Sequence, residues 1–136
     1  HRVKRIATQY ETKFNFLKYS TEIFIDNIAD YYSRTRLLIS RAGASTISET
    51  KKFDLINILV PIKNSTNNHQ YQNALEMNEK GLAEIWQEND QNLELTNKIF
   101  NLLSRKDKAK KILINKKNQT NDYSAKNIIK EILKDA

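Results

Sequence analysis

The chain has 136 residues, of which 39% are hydrophobic and 29% charged, and a formal net charge of +7, a length that suits one compact domain or one domain of a larger enzyme. No run of about 18 apolar residues occurs, which excludes a spanning helix, and His1-Arg2-Val3-Lys4-Arg5 leads into mixed polar sequence rather than the apolar block of a signal peptide. Zero cysteines exclude a disulfide framework, a thiol nucleophile and Cys-based metal sites, and two histidines, His1 and His69, argue against a multi-histidine metal centre, so no metal site and a reducing, cytoplasmic setting are expected.

Along the chain, Ile6, Tyr10, Phe14 and Leu17 recur at helical spacing and predict a helix over 3–18. Thr21-Glu22-Ile23-Phe24-Ile25 is a short β-type run closed by Asp26-Asn27, and Ile28, Tyr31 and Tyr32 mark a short helix after it. Leu37-Leu38-Ile39-Ser40 is a continuous apolar run, the pattern of a strand buried on both faces of a parallel sheet. The small-residue turn Arg41-Ala42-Gly43-Ala44-Ser45-Thr46 then opens a helix through about Lys52. Ile58-Leu59-Val60-Pro61 reads as a second buried strand, followed by a polar loop from Lys63 to His69. Gln70 to Lys80 reads as a helix with Gly81 as its C-cap, and Leu82 to Trp86 as a last strand.

From Asn92 onward the signal is helical, with Leu95, Ile99 and Leu102 on one face, then Ile112 and Leu113, then Ile128, Ile129 and Ile132. The stretch Arg105 to Lys117 carries seven basic residues against one acidic residue, Asp107, and reads as a solvated helix face. The basic excess is mostly lysine, 17 Lys against 6 scattered Arg, and does not form the Arg- and aromatic-rich face of a nucleic-acid binder. Alternating strand and helix signals through residue 86 predict an α/β fold: a parallel, doubly wound, Rossmann-like sheet with a helical C-terminal tail over 105–136, all in one domain.

In such sheets ligands bind at the carboxyl ends of the strands. Gly43 and Ala44 would let a backbone approach a ligand closely, and the N–H groups opening the next helix favour a phosphate. Glu49, one turn further, could accept hydrogen bonds from ribose hydroxyls, but Thr46-x-x-Glu49 is equally a capping box that needs no ligand. Gln70 and Asn73, three apart, share one face of a helix start and offer amides suited to sugar hydroxyls, or to ordinary capping. The backbone at Phe24-Ile25-Asp26, at a strand end, could read a base edge.

In combined order, Arg41-Ala-Gly-Ala-Ser-Thr-Ile-Ser-Glu49, Ile58-Leu-Val-Pro61, Asn68-His-Gln-Tyr-Gln-Asn-Ala74 and Gly81 resemble the C-terminal half of the MurG-type glycosyltransferases of family 28, with Phe24–Ile28 and Tyr31-Tyr32 at the matching spacing upstream. The resemblance covers residues 1 to 104 and, more loosely, the terminal helices. It implies one half of a GT-B fold, the domain that binds UDP-GlcNAc as a substrate, with no cofactor. By that resemblance the main chain of Ile25 reads uracil and Glu49 holds the ribose. Ala44, Ser45 and Thr46 lie along the diphosphate, Gln70 and Asn73 touch the GlcNAc hydroxyls, and Arg41 and Gly43 belong to the same motif.

The family reaction transfers GlcNAc to undecaprenyl-diphospho-MurNAc-pentapeptide, converting lipid I to lipid II in peptidoglycan synthesis at the cytoplasmic face of the membrane. The acceptor domain that binds lipid I and the family's catalytic base have no counterpart in these residues, so the resemblance implies that an N-terminal domain is supplied in cis or in trans. It also leaves a non-catalytic donor-binding subunit of a two-chain transferase, or an inactive remnant, as alternatives. Asp54-Leu55-Ile56 stands where the family has Gly-x-Pro.

Overall fold

A computed structural model describes residues 20–62, 68–104 and 106–122. The helix expected over 3–18, most of the polar loop after Pro61 and the last helical period at Ile128–Ile132 lie outside the described residues. The order of elements is α1 (Ile28–Arg34), β1 (Leu37–Ser40), α2 (Ala44–Thr50), β2 (Ile56–Leu59), α3 (His69–Glu79), β3 (Ala83–Ile85), α4 (Asn92–Ser104) and α5 (Lys106–Asp122). The three strands form one parallel sheet in the order β1-β2-β3, with Leu37 opposite Ile56 and Asn57 opposite Ala83.

Helices cover both faces of this sheet, and alternation along β2 shows how. Leu59 packs with Ala42, Ile47, Ala74, Met77, Leu82 and Ala83, the layer built by α2 and α3. Ile56 and Ile58 pack instead with Leu102 of α4 and Ile112 of α5, joined by Leu37, Leu95, Ile99 and Leu113. All four residues of β2 are therefore buried, and each fully buried Leu or Ile contributes about 1.5–3 kcal/mol. Residues 106–122 of the expected helical tail thus help to build the second layer of the core.

Expectations about three strands need correction, the second buried strand running over Ile56–Leu59 rather than Ile58–Pro61. Thr21–Ile25 is irregular, with Ile23 and Phe24 among the most exposed apolar residues. A strand needs a neighbour to satisfy its N–H and C=O groups, and no described strand pairs with this segment. β1 is only half-buried, and its Ile39 is exposed, because among the described residues it is an edge strand paired on β2 alone.

The α3–β3 turn is closed as its residues predict. Gly81 adopts φ +65°, its N–H donates to Asn78 O (2.8 Å), and the Leu82 N–H donates to Met77 O (2.9 Å). These are the two bonds of a Schellman motif, with Met77 and Leu82 in the accompanying apolar contact. Asn115 of α5 donates its Nδ2 to Gly81 O at 3.1 Å, close enough that a Cβ on Gly81 would lie 2.7 Å from that nitrogen. The α2–β2 connection closes without the family's Gly and Pro: the Phe53 N–H bonds Thr50 O, and Leu55 is fully buried.

The basic stretch on α5 is not wholly solvated. Lys108 pairs with Glu84 at 2.6 Å and Lys117 with Asp54 at 3.4 Å, while Lys116 is only 5% exposed. Its Nζ donates to Leu55 O (2.8 Å) and Thr50 O (3.4 Å). The carbonyl end of a helix attracts a cation, and α5 lies across the sheet so that its late turns reach that end of α2.

Candidate functional site

At the carboxyl ends of the strands the chain leaves β1 through Arg41-Ala42-Gly43 into α2. Ala42 is fully buried in the first core layer. Gly43 has φ −70° and ψ 143°, which any residue can adopt, and an added Cβ would meet nothing closer than Thr46 Oγ1 at 3.9 Å. The fold does not itself require glycine there; its absent side chain leaves the start of α2 open to an approaching group. No side chain caps that start. The first helical bond is Ile47 N–H to Gly43 O at 3.0 Å, leaving the N–H groups of Ala44, Ser45 and Thr46 facing outward from the helix end.

The capping-box reading of Thr46 and Glu49 is overturned by this geometry. The N-cap is Gly43, so Thr46 already lies inside the first turn, and its carbonyl accepts the Thr50 hydroxyl at 2.8 Å. Glu49 is exposed on the following turn. It stands near Tyr32 of α1, whose phenol is pushed above its usual pKa by burial and, secondarily, by the Glu49 charge. Tyr32 in turn packs its ring 5.5 Å from Phe53. Ile25, half-buried, lies three residues before α1; among the described residues no hydrogen bond joins it to the others.

Gln70 and Asn73 both act on neighbouring backbone. Asn73 Nδ2 donates to Ala42 O (3.1 Å), and Gln70 Oε1 accepts the Ile62 N–H (3.2 Å). Each amide keeps its other end: an Oδ1 acceptor on Asn73 and an Nε2 donor on Gln70. Ala44 and Asn73 line one recess of about 180 Å³ between α2 and α3, with Ile47, Ser48, Lys51, Glu76 and Met77. Lys80 donates a hydrogen bond to Glu76 and holds its carboxyl below the usual range. A second recess of about 210 Å³, lined by Pro61, Ile62, Asn68, Tyr71 and Gln87, opens where Gln70 bonds Ile62. At its edge Asn68 adopts the left-handed conformation at φ 59°, which asparagine tolerates better than most residues.

Arg41 bridges all three strand ends. From the end of β1, its Nη1 donates to Val60 O just after β2 (3.4 Å) and its Nη2 pairs with Glu88 beyond β3 (2.5 Å). Sequence reasoning missed Glu88, which stands in a polar run and gains meaning only from its distant partner. It also missed Ser40, whose buried Oγ has no partner among the described residues at the end of β1; a polar last residue on an apolar strand is the available signal. The structure thus gathers Arg41, Gly43, Ala44, Ser45, Thr46, Gln70 and Asn73 at one end of the sheet, with Glu49 one turn below.

Among the described residues no helix is long and apolar enough to cross a membrane. Residues 3–132 match the family model of the glycosyltransferase family 28 C-terminal domain. The chain is 36% identical over 129 residues to the UDP-N-acetylglucosamine--N-acetylmuramyl-(pentapeptide) pyrophosphoryl-undecaprenol N-acetylglucosamine transferase of Wigglesworthia glossinidia brevipalpis, covering 93% of this chain and 35% of that protein. It is also 36% identical over 111 residues to the same-named transferase of Thermosipho melanesiensis, covering 82% of this chain and 32% of the relative. Among solved structures it is similar to MurG of Acinetobacter baumannii, with a TM-score of 0.72 and 25% identity over 86% of this chain and 34% of that one. The chain therefore spans about a third of the length of these relatives. With that architecture and that coverage, the chain belongs to the glycosyltransferase family 28 C-terminal domain family.

Proposed function

We propose that this chain is the donor-binding half of an inverting GlcNAc transferase, a single domain that holds UDP-GlcNAc while an N-terminal domain, in cis or in trans, holds lipid I. The observation that carries the reading is the uncapped start of α2, whose N–H groups open at the carboxyl end of β1 beside a glycine that the backbone does not need. The diphosphate lies along Ala44, Ser45 and Thr46, the ribose against Glu49, uracil at the Ile25 main chain, and the GlcNAc hydroxyls at Asn73 Oδ1 and Gln70 Nε2. Arg41 holds the strand ends in place around it.

In the reaction the acceptor MurNAc 4-hydroxyl attacks the anomeric carbon, the bond from that carbon to the diphosphate oxygen breaks, and UDP departs. Negative charge grows on the diphosphate as the bond breaks, and preorganised N–H dipoles stabilise it most in the transition state. The proton of the acceptor hydroxyl goes to a group outside this chain, so the chain alone binds donor without turning it over. The work is placed at the cytoplasmic membrane surface, which the chain reaches through its acceptor partner.

Binding of UDP and of 2′-deoxy-UDP to wild type and Glu49→Ala tests the assignment. Charge-assisted hydrogen bonds contribute about 1.5–3 kcal/mol each, so Glu49→Ala is expected to weaken UDP binding by roughly tenfold or more while Lys117→Ala leaves it unchanged. Because Glu49 is not a cap, its replacement is expected to leave thermal stability nearly unaltered. The wild type loses affinity for 2′-deoxy-UDP and the variant does not. Equal losses in both proteins would remove Glu49 from the ribose site, and undetectable UDP binding by a folded chain would remove the donor site.

A further inference from the structure

The opposite, amino end of the sheet carries a cavity that the donor reading does not use. The last turn of α2, the last turn of α3 and the later turns of α5 converge before β3 around a space of about 270 Å³. Its floor is apolar: Met77 is 4% exposed and Leu82 1% exposed. Its rim is basic, formed by Lys51, Lys52 and Lys116. An adjoining recess shares these three lysines and adds Phe53, Asp54 and Lys117. Four lysines thus gather around Asp54, which Lys117 engages, and Lys51 also lies near the Glu76 carboxylate, itself bonded by Lys80. Lys116 is fastened to the Thr50 and Leu55 carbonyls, whereas the exposed Lys51 and Lys52 make no ion pair among the described residues.

An apolar floor beside two exposed cations selects for a guest with both characters. Inorganic phosphate would satisfy the lysines but leave the cavity over Met77 and Leu82 unfilled. A nucleotide would turn hydrogen-bonding edges onto those two side chains without partners for them. A flat bilayer would meet the lysines and leave the concavity unfilled. The volume lies just below the roughly 300–1,000 Å³ of pockets that take drug-sized ligands, which suits one alkyl chain. We propose that this cavity binds a single-chain amphiphilic anion, its chain over Met77 and Leu82 and its carboxylate or phosphate head between Lys51 and Lys52.

Met77 is the only methionine in the sequence, so its labelled methyl gives one NMR signal from the cavity floor. Decyl phosphate, titrated below its micelle concentration, is expected to shift that signal saturably. Inorganic phosphate should not shift it, and decanol should bind at least tenfold more weakly. The double variant Lys51→Glu/Lys52→Glu, both exposed positions, should stay folded by circular dichroism and bind decyl phosphate at least tenfold more weakly. Lengthening the chain by two methylenes should raise affinity roughly tenfold.

The proposal is overturned by no saturable shift, by equal affinity in the folded double variant, or by an equal response to inorganic phosphate. Displacement by UDP would also overturn it, since Lys51 and Met77 line the recess beside Asn73 as well. Phosphatidylglycerol vesicles separate a bilayer from a free chain: binding to vesicles that leaves the Met77 signal in place, with no response to decyl phosphate, would assign the lysines to a membrane surface instead.

Discussion

The two ends of the sheet are built differently. At the carboxyl end, side chains reach backbone from exposed or half-buried positions: Arg41 to Val60, Asn73 to Ala42 and Gln70 to Ile62. The opening of α2 is left without a capping side chain. At the amino end the joints are covered. Leu55 is fully buried, Asn57 Nδ2 donates to Thr50 Oγ1 inside the core (3.1 Å), and Lys116 and Asn115 tie α5 to the α2–β2 and α3–β3 connections. One end leaves backbone N–H donors uncapped; the other satisfies backbone carbonyls with side chains of α5 and carries the stability. Substitutions should therefore separate into those that unfold the chain and those that change its binding.

The largest separation is expected at Leu55. Replacing a fully buried leucine by alanine typically costs about 2–5 kcal/mol, so Leu55→Ala should lower the urea-unfolding free energy by that amount while the protein that remains folded binds UDP within twofold of wild type. Ser45→Ala, at an exposed position of the other end, should stay within about 0.5 kcal/mol of wild type. A loss below about 1 kcal/mol for Leu55→Ala would show that the amino end is not where the fold is anchored.

How much of this was legible in the sequence depends on how far each signal reaches. The apolar run of β2, the helix before Gly81 and the Schellman closure at Gly81 are local, and residues within one or two turns specify them. The start of α2 is less local: Thr46-x-x-Glu49 has the composition of a capping box, but the position at which β1 ends moves the cap back to Gly43. β-branched residues at Thr21–Ile25 look like a strand, yet a strand exists only with a neighbour. Lys116 sits among six other basic residues of one stretch, and nothing in its sequence neighbourhood distinguishes it from Lys110 or Lys111, which are exposed. The Arg41–Glu88 pair has the same character, because its partners meet only when β1 and β3 share a sheet.

Lys116 also gives the amino end a pH signature. Burial lowers its pKa from the usual 10.5 to about 8, opposed in part by the nearby Asp54 charge. Between those values the unfolded chain holds a proton that the folded chain has released, so this lysine makes stability rise with pH across about 8–10.5; below 8 the penalty of burying the charge is fully present. The full span corresponds to about 3 kcal/mol. From pH 7.5 to 10 the wild type should gain about 2 kcal/mol relative to Lys116→Met, measured by urea unfolding of both. Tyr32, whose pKa is raised, acts in the opposite direction above pH 10 and is common to both proteins. Parallel pH profiles would mean that Lys116 stays charged in the folded chain throughout.

The smallest effect on stability, and the sharpest test of the contrast, is expected at Arg41. Its side chain and that of Glu88 are 49% and 45% exposed, and exposed ion pairs contribute about 0–1 kcal/mol. Glu88→Gln should therefore leave the unfolding free energy within about 1 kcal/mol of wild type, as should Arg41→Lys. Their consequences for geometry differ. Lysine cannot reproduce the guanidinium fork that spans Val60 O and the Glu88 carboxylate at once, so Arg41→Lys releases the strand ends on both sides, whereas Glu88→Gln keeps a neutral hydrogen-bond acceptor and retains part of the bridge. UDP affinity should fall most in Arg41→Lys, less in Glu88→Gln, and in the double variant no further than in Arg41→Lys alone, because the two side chains act through one contact. Additive losses would mean that Arg41 meets the ligand itself, and the carboxyl end would then contribute a cation as well as backbone N–H groups to the diphosphate.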